Sequence, residues 1–244
     1  MRLEVVAVVV PARDEQETIG ACLASVAVAA RQVRLDVRTV VVADSCVDAT
    51  AQVATAAGAK VIKTTGSPGG GVGAARAAGC AHALHTLEAL PPAAIWLAHT
   101  DADSVVPPDW LRAQLAYAER GYDAVVGMVT LAGNSDSDAH RRWTSAYRQR
   151  HGHVHGANLG VRGDAYLAVG GFAAVPAHED LGLLERLVAV GRVVARPHHP
   201  RVVTSARLVG RTPAGVAADL RALHCCADRL VNSTDTRTQT LSGE

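Results

Sequence analysis

The chain contains 244 residues with a formal net charge of +1, and this balance excludes a global attraction to nucleic acid or to an anionic membrane. A hydrophobic content of 49% in a chain of this length supports one large or two small domains around a sizeable core. Because only 3% of the residues are aromatic, the core volume must come from Val, Leu and Ala, which suits a parallel sheet covered by helices.

The first predicted strand is the β-branched run at residues 5–10, which should stop at Pro11 because proline cannot donate to a central ladder. A helix should follow, since Asp14 and Glu17 have the spacing of a capping box before a periodic apolar series. The turn between strand and helix leaves two charged side chains available to a ligand: Arg13 and Glu15.

A second strand is predicted at residues 37–42, followed by a helix that ends near Ala57. Asp48 or Thr50 is a natural N-cap for this helix. Asp44 comes earlier, at the strand tip, where a carboxylate can accept hydrogen bonds from the edge of a nucleobase.

The third predicted strand, Lys60–Thr64, leads into a glycine-rich stretch at residues 66–73. Such a loop before a helix can bring backbone N–H groups close to phosphate, but neither the Rossmann nor the Walker A spacing is present. A flexible connector therefore fits this stretch equally well. Arg76 lies in the first turns of the next helix, either within reach of a pyrophosphate or on a solvated face.

The six apolar residues 93–98 predict a strand buried on both faces, with two carboxylates at its end. Open α/β sheets place their ligands at this end of the strands. In extended backbone, Asp101 and Asp103 project to the same side and together can hold a hard divalent cation. The alternative is a solvated turn in which Asp103 or Ser104 caps the next helix.

Farther along, residues 123–129 predict one strand, and the polar stretch 133–155 predicts a partly helical excursion or a lid over the site. Three alternating histidines at the end of that stretch fit solvated loop residues or metal ligands: His151, His153 and His155. Residues 156–162 predict a tight turn into a short strand, and Gly170-Gly171 should close a small helix.

The strongest amphipathic helix is predicted to begin at His178-Glu179-Asp180, where acidic residues also stabilise the helix through its macrodipole. Its predicted inner face consists of Leu181, Leu184, Leu187 and Val188. An edge strand at residues 193–195 and a last helix at residues 213–231 should follow, and residues 232–244 should form a polar, disordered tail.

The charged positions at strand tips and helix starts occur in a specific order: Pro11-Ala12-Arg13-Asp14-Glu15, Asp44, Ala75-Arg76-Ala77, Asp101-Ala102-Asp103 and Glu179-Asp180. This set resembles the family 2 glycosyltransferases of the GT-A fold, over residues 5–211. The resemblance implies an α/β chain, a three-layer α/β/α sandwich with a mostly parallel central sheet. It implies one domain over residues 1–231, with a nucleotide-binding half at about 1–105 and an acceptor half at about 106–231.

The resemblance also implies a role for each matching residue. The nucleotide pocket would be lined by Pro11, Arg13, Glu15, Asp44, Arg76 and Asp101. Asp103 would be the metal ligand and Asp180 the catalytic base. Donor and acceptor would be bound by Gly156, Ala157, Asn158, Glu179, Arg207 and Arg211. His198 or His199 is a candidate for a further metal ligand.

The implied reaction is a metal-dependent, inverting sugar transfer from a nucleoside diphosphate donor, with UDP favoured and Mn²⁺ or Mg²⁺ as cofactor. The acceptor would be a hydroxyl on a small-molecule or lipid-linked compound. A sugar-1-phosphate nucleotidyltransferase or a nicotinamide-dependent oxidoreductase would require a glycine-rich loop directly after the first strand, where residues 11–15 stand instead. A catalytically silent, nucleotide-sugar-binding scaffold is the non-enzymatic alternative.

The expected partners are a nucleotide-sugar donor and an acceptor that the sequence does not identify, without nucleic acid and with a homodimer as a candidate assembly. Five cysteines match no disulfide framework and no zinc spacing. The chain shows no signal peptide and no apolar run near the roughly 18 residues of a membrane span. We therefore expect a cytoplasmic protein without a transmembrane segment.

Overall fold

The computed structural model describes residues 2–65, 71–133, 138–149, 154–210 and 215–222. The strands are β1 (Val5–Ala12), β2 (Asp36–Asp44), β3 (Lys60–Thr64), β4 (Ile95–His99), β5 (Ser104–Val105), β6 (Ala124–Val126), β7 (Met128–Leu131), β8 (Leu159–Arg162), β9 (Val194–Ala195) and β10 (Arg201–Thr204). The helices are α1 (Ile19–Ala30), α2 (Thr50–Ala56), α3 (Gly71–Thr86), α4 (Trp110–Glu119), α5 (Asp138–Gln149), α6 (Gly163–Ala168) and α7 (Glu179–Ala189).

Seven strands form the central sheet in the order β3-β2-β1-β4-β8-β6-β9, and β5, β10 and β7 form a second, small sheet. The first four strands of the central sheet run parallel, and β8 is antiparallel to both its neighbours. The expected mostly parallel sheet is therefore confirmed. The carboxyl ends of β1, β2 and β4 meet at one edge, where open α/β sheets bind their ligands.

Helices cover both faces of the sheet, and β1 is therefore buried on both sides. Val6, Val8 and Val10 point into a core shared with α1, α2 and α4. The alternating residues Val5, Ala7 and Val9 point into a second core shared with α3, α6 and α7. Period-two alternation along one strand thus feeds two separate cores, and the expected α/β/α sandwich is confirmed.

The predicted stop at Pro11 is wrong, because β1 continues through this proline to Ala12. Pairing with β4 ends at Val9, whereas pairing with β2 continues to Ala12. Beyond Val9 the strand has a neighbour on one side only, a position where a missing N–H is tolerated.

The predicted capping box is also wrong. Helix α1 begins at Ile19 after Thr18, and no side chain caps it. Asp14 instead adopts a left-handed backbone conformation, with φ of 52°, and its Oδ1 accepts a hydrogen bond from Val47 N at 2.8 Å. The Asp14 carboxylate, which the local spacing assigned to the start of α1, therefore connects two loops instead. The N-cap predicted for α2 is wrong by one residue: Ala49 is the N-cap and has no capping side chain, while Asp48 before it accepts a hydrogen bond from Thr50 N at 2.9 Å.

The single strand predicted at residues 123–129 is divided at Gly127 into β6 of the large sheet and β7 of the small one. Gly127 N donates to the backbone oxygen of Asn158 at 2.8 Å. A Cβ atom at Gly127 would lie 2.2 Å from Nδ2 of Asn158. This close approach requires glycine and redirects the chain between the sheets.

The inner face predicted for α7 is partly wrong. Leu184 and Leu187 are buried as predicted, but Leu181 and Val188 are 36% and 57% exposed. Leu183 and Glu179 complete the buried stripe instead. The buried stripe is rotated because Glu179, the first residue of α7, points inward.

The polar stretch after β7 contains the helix α5, which confirms the helical part of that prediction. Trp143 and Tyr147 are buried with stacked rings, and Tyr147 Oη accepts a hydrogen bond from Val129 N at 3.2 Å. The lid stays a prediction, because much of that stretch lies outside the described residues. The same holds for residues 66–70, His151, His153, Arg211 and the tail at 232–244. Residues 216–222 of the predicted last helix are helical, and the division into halves near residue 105 stays a prediction.

His99 ends β4 inside the core, and its side chain is fully buried. Its Nε2 lies 3.8 Å from Cys80 Sγ, and its ring meets Phe172 edge-on with centroids 5.0 Å apart. Burial, with a smaller contribution from the nearby charge of Arg76, lowers the pKa of His99 to about 3. The folded protein therefore holds this imidazole neutral.

We expect His99→Gln to reduce the acid sensitivity of folding. In the unfolded chain this histidine binds a proton below its ordinary pKa of 6.5, whereas in the folded protein its pKa is about 3. His99 should therefore lower the wild-type free energy of unfolding, by at most about 1.4 kcal/mol per pH unit, as the pH drops below the pKa of the unfolded histidine. Urea unfolding between about pH 7 and about pH 5 measures this slope. His85→Gln, at an exposed histidine, is the control, and equal slopes for His99→Gln and wild type would contradict the prediction.

Candidate active site

A cavity of about 1050 Å³ opens at the carboxyl edge of β1, β2 and β4. Its wall is completed by the start of α3, the turn before β8, the start of α7 and the segment after β10. Twelve of the residues assigned from the sequence line it: Pro11, Arg13, Glu15, Asp44, Arg76, Asp101, Asp103, Gly156, Ala157, Glu179, Asp180 and Arg207. Asn158 is buried behind the wall, where Oδ1 accepts from Trp110 Nε1 at 2.9 Å and Nδ2 donates to Met128 O at 2.9 Å.

At one end of the cavity, Asp44 is buried and held between two donors. The Arg13 guanidinium forms an ion pair with its carboxylate, and Arg13 Nε donates to the backbone oxygen of Asp44 at 3.2 Å. Thr64 Oγ1 donates to Asp44 Oδ1 at 2.9 Å. The result is an acceptor flanked by donors from neighbouring strand tips. Thr64 was missed in the sequence, although its place at the end of β3 follows from the convergence of parallel strand ends.

The acidic motif is a turn rather than the extended segment expected from its spacing. Ser104 N donates to Asp101 O at 3.0 Å, which closes the turn. The two carboxylates consequently contact different arginines: Asp101 pairs with Arg76, and Asp103 pairs with Arg207. The capping alternative is also wrong, because Ser104 belongs to β5 and α4 starts after Asp109.

Arg76 joins two walls of the cavity. Its guanidinium, only 3% exposed, forms ion pairs with Asp101 beyond β4 and with Glu179 at the start of α7. Burial raises the pKa of Glu179, and the Arg76 charge opposes that effect. A Cβ atom on Gly156 would lie 2.2 Å from Cζ of Arg76, so any other residue here would push the guanidinium away from its ion pairs. The structure therefore makes Arg76 a bridge between the acidic turn and α7.

Asp180, the next residue of α7, is oriented by backbone groups. Its Oδ2 accepts from Gly156 N, and its Oδ1 accepts from Leu181 N, both at 2.8 Å. Each carboxylate oxygen has a second lone pair that these bonds leave unused. Asp180 therefore presents a fixed proton acceptor at the cavity wall.

The donor set of the cavity fits a hard divalent cation. Seven carboxylates and three guanidinium groups are among the described lining residues, an excess of negative charge. Burial and the charges of Asp101 and Glu15 raise the pKa of Asp103 to about 6, although the charge of Arg207 acts in the opposite direction. Carboxylate oxygens are the ligands that Mg²⁺ and Mn²⁺ prefer.

The two candidate histidine ligands lie elsewhere. His198 Nδ1 is 3.1 Å from Met128 Sδ, and His199 Nε2 is 3.4 Å from the Asp109 carboxylate. Neither belongs to the described residues that line the cavity, whereas His155 does. The sequence also missed an apolar part of the wall, which carries no periodic signal: Val72, Pro176, Ala177 and Val216.

The family model described as glycosyl transferase family 2 matches residues 7–175. The chain belongs to this family. That membership confirms the resemblance identified in the sequence, and the arrangement of strand tips around the cavity gives it a structural basis. A comparison with curated proteins finds no match.

Solved structures share the fold at low sequence identity. One is the mannosyltransferase PcManGT from Pyrobaculum calidifontis in complex with GDP-Man and Mn²⁺, with 19% identity, a TM-score of 0.61 and coverage of 83% of this chain. Another is S. aureus TarS 1–349 in complex with UDP-GlcNAc, with 16% identity, a TM-score of 0.61 and 88% coverage. This family 2 chain spans 57% and 62% of those two structures. These similarities confirm a GT-A fold. Among the described helices, none combines the length and apolarity needed to cross a membrane.

We expect Arg76→Met to destabilise the protein by about 3 kcal/mol, because it leaves Glu179 buried without its counter-ion. Arg76→Met combined with Glu179→Gln should recover part of this loss, since the stranded charge is then gone. Urea unfolding of both variants gives the comparison. Arg38→Met, which breaks an exposed ion pair with Asp36, is the control and should change little. Equal losses in the single and double variants would show that Arg76 does not serve to neutralise Glu179.

Proposed function

We propose that the chain is a metal-dependent, inverting glycosyltransferase that moves a sugar from a nucleoside diphosphate, with UDP favoured, to an acceptor hydroxyl. The acceptor would be a small molecule or a lipid-linked compound. One observation carries the proposal: Arg76 holds the acidic turn of Asp101 against α7, so a candidate cation site and a candidate base, Asp180, face one cavity.

The end of the cavity around Asp44 supports binding of a pyrimidine base. Uracil presents an N–H between two carbonyl oxygens, an acceptor–donor–acceptor pattern. The Asp44 carboxylate can accept from that N–H, and the Arg13 guanidinium beside it can donate to a carbonyl oxygen, while the Thr64 hydroxyl orients Asp44 by donating its one hydrogen to it. The two similar structures named above contain GDP-Man and UDP-GlcNAc, so nucleotide sugars are ligands of proteins with this fold.

The acidic turn supports a cation beside the diphosphate. Asp103, with Asp101 close by, would hold the ion, and PcManGT is similar to this chain and contains Mn²⁺. When bound, a divalent cation offsets the charge that develops on the leaving diphosphate. Arg207 lies beside Asp103 and can pair with phosphate oxygens.

Asp180 supports a single displacement. The two backbone N–H groups orient its carboxylate, and an unused lone pair can take the proton of an acceptor hydroxyl. The hydroxyl oxygen forms the new bond to the anomeric carbon as the bond to the diphosphate breaks, on the opposite face. One displacement of this kind inverts the configuration at that carbon.

We expect Asp103→Asn to abolish Mn²⁺-dependent binding of UDP, because the substitution removes the charged oxygen of the cation site. Isothermal titration with UDP and with GDP, each with Mn²⁺ and with chelator, measures this. Wild type should bind UDP more tightly than GDP, and only with Mn²⁺. Asp36→Asn, on the exposed part of β2, is the control. Unchanged UDP binding by Asp103→Asn would remove this residue from the metal site.

We expect Asp180→Asn to keep UDP binding and to reduce sugar transfer by about 100-fold or more, because an amide cannot accept the proton. Release of UDP from a UDP-sugar with a panel of hydroxyl acceptors measures transfer. Glu185→Gln, at an exposed position of the same helix, should behave as wild type. Transfer at the wild-type rate in Asp180→Asn would exclude the base role, and wild-type protein that binds UDP-sugar without any turnover would favour the silent scaffold.

A further inference from the structure

Arg207 bridges two acids that the chain brings from distant positions. Its Nη1 lies 2.7 Å from Oε1 and 2.9 Å from Oε2 of Glu15, and its Nη2 lies 3.1 Å from Oδ2 of Asp103. The Glu15 and Asp103 side chains are 6% and 13% exposed, whereas that of Arg207 is 29% exposed. The guanidinium therefore contacts both oxygens of Glu15 but only one oxygen of Asp103.

This ion pair conflicts with a cation at Asp103, the ligand assigned under the proposed function on which the inference rests. A guanidinium and a divalent cation on one carboxylate repel each other, and the repulsion is strong where the surroundings are largely buried. A cation bound to Oδ2 of Asp103 would also compete with Arg207 for the lone pairs of that oxygen. A cation that binds Asp103 must therefore displace Arg207 from it or bind more weakly.

The contacts indicate where the displaced guanidinium would remain. The two contacts with Glu15 do not involve Asp103, so Arg207 can give up one partner and still be held in the cavity. The other two arginines of the described lining are engaged elsewhere: Arg76 is buried between Asp101 and Glu179, and Arg13 pairs with Asp44. Arg207 is thus the guanidinium placed beside Asp103 with access to the cavity.

We propose that Arg207 is an exchangeable counter-ion, which neutralises Asp103, yields it to the divalent cation and, still held by Glu15, pairs with the diphosphate of the donor. A planar guanidinium suits this exchange because it binds carboxylate and phosphate oxygens with the same fork of donors. The exchange makes the cation and the nucleotide bind cooperatively. The cation alone binds against competition from Arg207, and the diphosphate removes that competition by offering Arg207 a new partner.

The test measures Mn²⁺ binding to the full chain by electron paramagnetic resonance, first alone and then with saturating UDP. Arg207→Met should bind Mn²⁺ alone roughly fivefold or more tightly than wild type, because the competitor is gone. UDP should then raise the Mn²⁺ affinity of Arg207→Met less than that of wild type. Arg207→Lys keeps the charge without the fork, so it should fall between the two. Arg201→Met, on β10 outside the described lining, should match wild type.

Thermal melts of each variant verify folding before binding is compared. If Arg207→Met binds Mn²⁺ alone no more tightly than wild type, including no detectable binding by either, the exchange is overturned. Mn²⁺-dependent UDP binding by wild type would in that case leave the proposed function standing. If UDP binds wild type equally with Mn²⁺ and with chelator, the metal role falls and the exchange falls with it.

Discussion

The cavity depends on the buried pairing of Arg76 with Asp101 and Glu179. These partners come from the turn after β4 and from the start of α7, which are far apart along the chain. A buried guanidinium requires a compensating carboxylate. Arg76 of α3 has two, Asp101 and Glu179, and so connects α3 to both walls of the cavity. Gly156 leaves room for this cluster, because a side chain at this position would displace the guanidinium from its ion pairs. The backbone N–H that orients Asp180 belongs to this same glycine, so the packing of Arg76 and the orientation of Asp180 are linked.

A second constraint is the direction of the strands. Parallel strands bring their carboxyl ends to one edge, and the chain turns there through charged segments rather than through apolar ones. Asp44, Asp101 and Asp103 meet at that edge because β2 and β4 flank β1. Each acid then acquires an arginine from another segment: Arg13, Arg76 or Arg207. Three acids of the cavity are therefore already paired with arginines, and a charged ligand that binds one of these acids competes with its arginine.

Several elements were predictable because their signals are local. Residues 5–10 are β-branched and apolar, and the strand they predict is the centre of the sheet. The glutamate and aspartate that open α7 follow the rule for helix N-termini. Predictions from local spacing were wrong at three places. Asp14 bonds to the loop after β2, Asn158 packs against Gly127 where the predicted strand divides, and the acidic motif closes into a turn. In the first two cases the competing contact lies in a segment whose position depends on the whole fold, whereas the turn is closed by a hydrogen bond between Ser104 and Asp101, three residues apart.

The sequence alone indicated the family, the layered α/β class and twelve of the 32 described residues that line the cavity, because the patterns at strand tips and helix starts are short-range. The tertiary structure decided which charges pair. Arg76 and Glu179 are 103 residues apart, and Arg207 and Glu15 are 192 apart, so no periodicity connects them. Ion pairs form between groups that are close in space, and that closeness is set by the order of strands in the sheet and by the helices packed on it.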